Sequence, residues 1–272
     1  MIKILMLLII AALPACGSAP APRIPQALEQ AQTADKNARL AMRNGDLLRA
    51  QQAFAKTLLL QRSLDDVAGA ATTIINLATV THQLHDDEGA LDWLDKILLE
   101  QPGIYPQGSY LDASFRKAVI LANLGRIPEA EVSLEEAGKL CEKKCSLRFG
   151  VDGLSARLLL LKGDATGAFA LARVVSKDAD AEKEEQANAL RVMAEAEEKL
   201  ARYADALQHY QAALDVDRVL SLSSRIGEDL SGLARVAKQL GREQDANYYL
   251  HRADWVNDSI QQNKILSTPI IH

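Results

Sequence analysis

Apolar and small residues return along this chain at helical spacing, in blocks separated by short turn-prone segments. In the block from Gln26 to Asn44 the inward positions are Ala27, Ala31, Ala34, Ala38, Ala41 and Met42. In the next, Leu47 to about Arg62, they are Ala50, Phe54, Leu58 and Leu59. Between the two, Gly45 suits the left-handed position that closes one helix, and Asp46 suits the N-cap of the next. The pattern predicts a helical hairpin.

The hairpin recurs. Ala38 and Ala50 lie twelve residues apart, as do Ala78 and Ala90, Ala118 and Ala130, Ala156 and Ala168, Ala194 and Ala206, and Ala234 and Ala246. Each pair brackets a turn-prone stretch such as His85-Asp86-Asp87-Glu88-Gly89, Gly125-Arg126-Ile127-Pro128 or Gly241-Arg242-Glu243-Gln244-Asp245. Six copies of one unit override any domain count based on length, because repeat arrays bury one running core. Leu158 to Leu161 predicts a helix buried on most sides, and Tyr203, Tyr210, Ala213, Tyr249, Leu250 and Ala253 predict the interior of the last two hairpins. Residues 101–110, with two prolines, two glycines and two tyrosines, predict the longest loop, with Pro102 ending the helix before it.

Paired helices with a small residue in each and a Gly-Asp type of turn between them resemble the tetratricopeptide repeat (TPR) family over about residues 31–260. In that family a helix B aromatic packs behind the two small residues, a role that Phe54 and Tyr210 match, with Leu94, Leu134 and Leu250 in its place elsewhere and Ala172 a poor substitute. Successive helix B alanines stand 40, 40, 38, 38 and 40 residues apart, against a usual period of about 34. The excess is roughly one helical turn per unit. The resemblance implies a right-handed α-solenoid of about six TPR-like hairpins, with a groove lined by exposed positions of the first helix of each.

Composition and charge narrow the function. Apolar residues are 48% of the chain and aromatics only 4%, so burial rests on short aliphatic side chains that let helices approach closely. A net charge of -5 carries no basic excess for nucleic acid. Lys3, the apolar run Ile4 to Leu13 and the segment Leu13-Pro14-Ala15-Cys16-Gly17 have the layout of a secretory leader. Ten apolar residues are too few to span a bilayer as a helix. The segment resembles the lipobox of bacterial lipoproteins, which implies a signal peptide over 1–15, lipid on Cys16 and, with Gly17 following, a place on the periplasmic face of the outer membrane. Residues 16–25, rich in proline and small residues, predict a flexible tether, residues 26–262 the solenoid, and residues 263–272 a tail that covers the last hairpin or docks elsewhere.

Candidate chemistry is sparse. Cys141 and Cys145, one helical turn apart in an oxidising compartment, are disulfide candidates. His82 and His85, followed by Asp86, Asp87 and Glu88, put two imidazoles beside carboxylates; a solvated corner and a metal site are the two readings. No Ser-His-Asp, HExxH or phosphate-loop pattern occurs. The groove implied by the resemblance would be lined by Arg39, Arg43, His82, Asn123, Arg157, Arg191, Arg235 and Lys238, suited to an acidic segment or terminal carboxylate of a partner; Asp35, Glu195 and Glu198 would offset part of that charge. The expectation is a non-enzymatic envelope scaffold that binds protein partners, with no cofactor, no nucleic acid and no small-molecule substrate. The alternative is a metal- or redox-dependent enzyme or sensor at the His82/His85 or Cys141/Cys145 pairs.

Overall fold

The computed structural model describes residues 25–99, 103–141 and 145–267, the last five as backbone only. Cys16, Pro102 and residues 268–272 lie outside them, as do all but Pro25 of the expected leader and tether. Twelve α-helices follow one another, with no strand among the described residues: α1 (Gln26–Arg43), α2 (Leu47–Ser63), α3 (Val67–Gln83), α4 (Asp87–Leu98), α5 (Gln107–Asn123), α6 (Ile127–Leu140), α7 (Arg148–Leu161), α8 (Ala165–Lys177), α9 (Lys183–Lys199), α10 (Tyr203–Leu220), α11 (Ser223–Gln239) and α12 (Glu243–Ser267). They pair as six antiparallel hairpins, odd-numbered A helices with even-numbered B helices, each packed on the next.

All twelve register alanines are buried, ten of them at 1% exposure or less and only Ala234 and Ala246 at 8% and 7%. A methyl group is the largest side chain that lets two helix backbones come this close. The turns share a second register. The residue five before each helix B alanine has positive φ in every hairpin: Gly45, His85, Gly125, Gly163, Ala201 and Gly241. That left-handed residue ends helix A and aims the chain back along it. Asp46, Asp86 and Asp164 then cap the B helices by accepting from the backbone N–H of Arg49, Gly89 and Gly167 at 3.3, 3.0 and 2.8 Å.

Several expectations need correction. Leu59, Leu161 and Leu250 are 71%, 46% and 50% exposed, not interior. Leu59 and Leu161 fall on the outer side of their helices, and Leu250 lies on α12, the last helix among the described residues, whereas its counterpart Tyr210 on α10 is covered by α11 of the next hairpin. Residues 107–110 are the first turn of α5, so the irregular segment ends at Pro106. Buried Tyr105 fastens that segment to the core. Residues 263–267 are helical, as the end of α12.

Each A helix from α3 onward touches its counterpart in the next hairpin: α3 meets α5, α5 meets α7, α7 meets α9 and α9 meets α11. The B helices make no comparable contacts among the described residues. Helices that approach one another line the inside of a curve, so the A helices form the inner surface.

Candidate partner-binding groove

The residue after each helix A alanine faces this inner surface: Arg39, Thr79, Val119, Arg157, Glu195 and Arg235, each exposed or half-buried beside a buried alanine. Two clefts open along it.

The first, about 240 Å³, is lined by Ala78, Thr79 and His82 of α3, by Asp112, Phe115, Arg116, Val119 and Ile120 of α5, and by Leu147. Its floor is aliphatic and aromatic. Its polar rim is already paired: Arg116 Nε donates to Asp112 at 2.7 Å and its Nη1 to Thr79 Oγ1 at 3.2 Å. His82 Nδ1 is engaged by Asp87 of the same hairpin.

The second cleft, about 320 Å³, is polar and brings together three of the arginines marked in the sequence, Arg157, Arg191 and Arg235, with Glu195, Glu228 and Asn257. None of the three is a free cation. Arg157 is held by Glu195 one repeat away. Arg235 Nη2 donates to Glu198 at 2.9 Å and to the Tyr210 hydroxyl at 3.0 Å, and that hydroxyl donates to Glu198 in turn. Arg191 is 5% exposed; it donates to Asp229 at 2.7 Å, to Asn188 at 2.9 Å and to Asp217. A buried guanidinium of this kind is a structural post, which removes Arg191 from the set of receptors that the sequence suggested. Burial pushes the Asp229 carboxyl up to about 7, against the pull of Arg191, with neighbouring Asp217 raising it further.

Sequence reading missed a charged pillar between α9 and α10. Glu197, fully buried, accepts from Arg202 at 2.8 Å and contacts His209 Nδ1 at 2.7 Å. Its signal was an acid among the apolar positions Val192, Met193, Ala194 and Ala196 of α9.

The remaining candidates are scattered. Arg39 pairs with Asp35 at 2.8 Å; Arg43, Asn123 and Lys238 are exposed near the ends of α1, α5 and α11, and line neither cleft. His85 is exposed at the left-handed turn position. Among the described residues no group of three His, Cys, Asp or Glu is arranged to hold a metal. Cys141 and Cys145, at the end of α6 and the approach to α7, are joined as a disulfide with Cα atoms 5.3 Å apart.

No protein-family model matches the chain, and no curated protein matches it in sequence. Solved structures do share its fold. The apo form of RapI superposes with a TM-score of 0.68 at 14% identity, covering 88% of this chain and 87% of RapI. PilW, described as a widely conserved type IV pilus biogenesis factor, gives 0.57 at 15% identity over 80% of this chain and 90% of PilW. The TPR-like repeats of a kinesin light chain-like protein of Podosopora anserina give 0.55 at 16% identity, over 73% and 99%. Together with the six hairpins, these likenesses make the fold a TPR-like α-solenoid.

Proposed function

We propose that this protein is a cell-envelope scaffold, held to the periplasmic face of the outer membrane by lipid on Cys16, whose inner groove takes extended segments of protein partners. The observation that carries the reading is one continuous surface of A helices holding an apolar cleft and a polar cleft side by side. Such a surface suits a chain that lays alternate side chains into pockets while its backbone runs across helices. The likeness to PilW, whose title places it in type IV pilus biogenesis, makes pilus assembly one process such a scaffold would serve; other envelope assemblies need the same geometry. The alternative is a metal- or redox-dependent enzyme or sensor at the His82/His85 pair, where His82 is engaged by Asp87, or at the Cys141–Cys145 disulfide.

Photo-crosslinking residues placed at Val119 and Arg235, with Asp92 on the outer surface as control, test the groove in the native envelope. Trapping of one and the same envelope protein from both inner positions, and not from Asp92, is the expected result. Equal trapping from all three, or from Asp92 alone, excludes an inner-groove scaffold. Fractionation of Cys16→Ala tests the anchor separately: the variant leaves the membrane fraction if the lipid reading holds and stays there if it does not.

A further inference from the structure

Charge pairing occupies the arginines of both clefts. Arg39, Arg116, Arg157, Arg191 and Arg235 are each bound by carboxylates of the protein itself. Two half-buried carboxylates are left over, Asp152 on α7 and Glu185 in the first turn of α9, neither with an ion-pair partner among the described residues. Burial raises the pKa of both; Arg148 opposes the rise at Asp152, and at Glu185 the neighbours Glu184 and Glu182 add to it while Arg225 opposes it. A carboxylate held this way is short of a cation.

Glu185 also adjoins the apolar cleft. A Cβ placed on Gly150 would lie 3.0 Å from Phe115 Cζ and 3.4 Å from Glu185 Oε1, so the ring and the carboxylate meet over that one glycine. At Gly153, one turn along the same helix, a Cβ would meet only Glu185 Oε2, at 3.8 Å. Gly150 is therefore buried beneath Phe115 and Glu185, whereas Gly153 leaves the α7 surface open on the Glu185 side.

We infer that the groove takes a basic amphipathic segment of its partner, with one apolar side chain in the cleft of Phe115, Val119 and Ile120 and an adjacent lysine or arginine passing over Gly153 to reach Glu185. The aliphatic stem of such a cation covers apolar surface while its head meets the carboxylate. This rests on the scaffold reading and reverses the acidic partner that a row of arginines suggests. The protein's net charge of -5 favours the same encounter at long range.

The test uses fluorescein-labelled peptides read by anisotropy against the folded protein: a short peptide of alternating leucine and lysine, its leucine-glutamate counterpart, and a serine-lysine peptide that keeps the charge alone. The leucine-lysine peptide binds best. Glu185→Gln weakens it about tenfold, the scale of one partly desolvated charge pair, and Val119→Glu, which puts a carboxylate into the apolar cleft, weakens the leucine-dependent part down to the level of the serine-lysine peptide. Circular dichroism melting shows that both variants fold. Absence of leucine-lysine binding, equal binding of the glutamate peptide, or an unchanged affinity in Glu185→Gln overturns the inference. Any of these outcomes alongside intact crosslinking from Val119 and Arg235 leaves the scaffold standing and removes only the basic partner.

Discussion

Arg191 on α9 reaches Asp229 on α11 at 2.7 Å, across 38 residues of sequence and from one hairpin to the next. Asp217 of α10 closes the group from the helix between them. Three consecutive helices of the fifth and sixth hairpins are thereby tied at one buried point.

Removing the guanidinium leaves two buried carboxylates facing each other. Arg191→Ala is expected to lower stability by about 3–5 kcal/mol, the usual cost of stripping one member from a buried ionic group. Urea denaturation followed by circular dichroism measures it. A loss under about 1 kcal/mol would mean that the group is open to water in solution.

The same group makes stability depend on pH. The Asp229 carboxyl titrates near 7 when folded and near 3.8 when unfolded, so its proton favours the folded state. That contribution is complete below about pH 3.8 and is lost as pH rises towards 7. Wild type minus Asp229→Asn therefore shows a stability difference that moves against wild type between pH 4 and 7. Urea midpoints at several pH values within that range measure it, and parallel curves for the two proteins refute the assignment.

Ala201 occupies the left-handed turn position at φ 55°, where four other hairpins use glycine. A Cβ in this region costs about 1 kcal/mol. Ala201→Gly should raise stability by roughly that amount, with differential scanning fluorimetry as the readout.

The Cys141–Cys145 bridge closes a loop of very few residues. Its contribution is correspondingly small, about 2 kcal/mol in the chain-entropy account. Alkylation of oxidised protein before and after reduction should show both thiols blocked and then both free, by mass; labelling of either thiol before reduction contradicts the pairing.

The hairpins were legible in the sequence because one physical requirement, close approach of two helices, selects one residue type at two places per unit. Twelve alanines in register predicted twelve buried methyl groups, and Gly45 and Asp46 predicted their own turn chemistry. The same reading placed Arg157, Arg191 and Arg235 near one another, and one cleft does gather them. It did not reveal their state, because neutralisation depends on acids 26 to 38 residues away. Nor does an apolar residue disclose its side of a helix: Leu58 is buried and its neighbour Leu59 is open to solvent. Phe115 and Glu185 escaped notice for a related reason, since a glycine on a third helix is what brings them together.

Thr79, Val119, Arg157, Glu195 and Arg235 each directly follow the alanine that fixes their helix against its partner. The distance from one reading position to the next is therefore gauged on the hidden side of the helix, while the letter displayed at each position is free to vary. A change of one exposed side chain per unit rewrites the message without altering its pitch. A bulkier residue at the neighbouring alanine does the opposite: it shifts every later letter along the strip while leaving each unchanged.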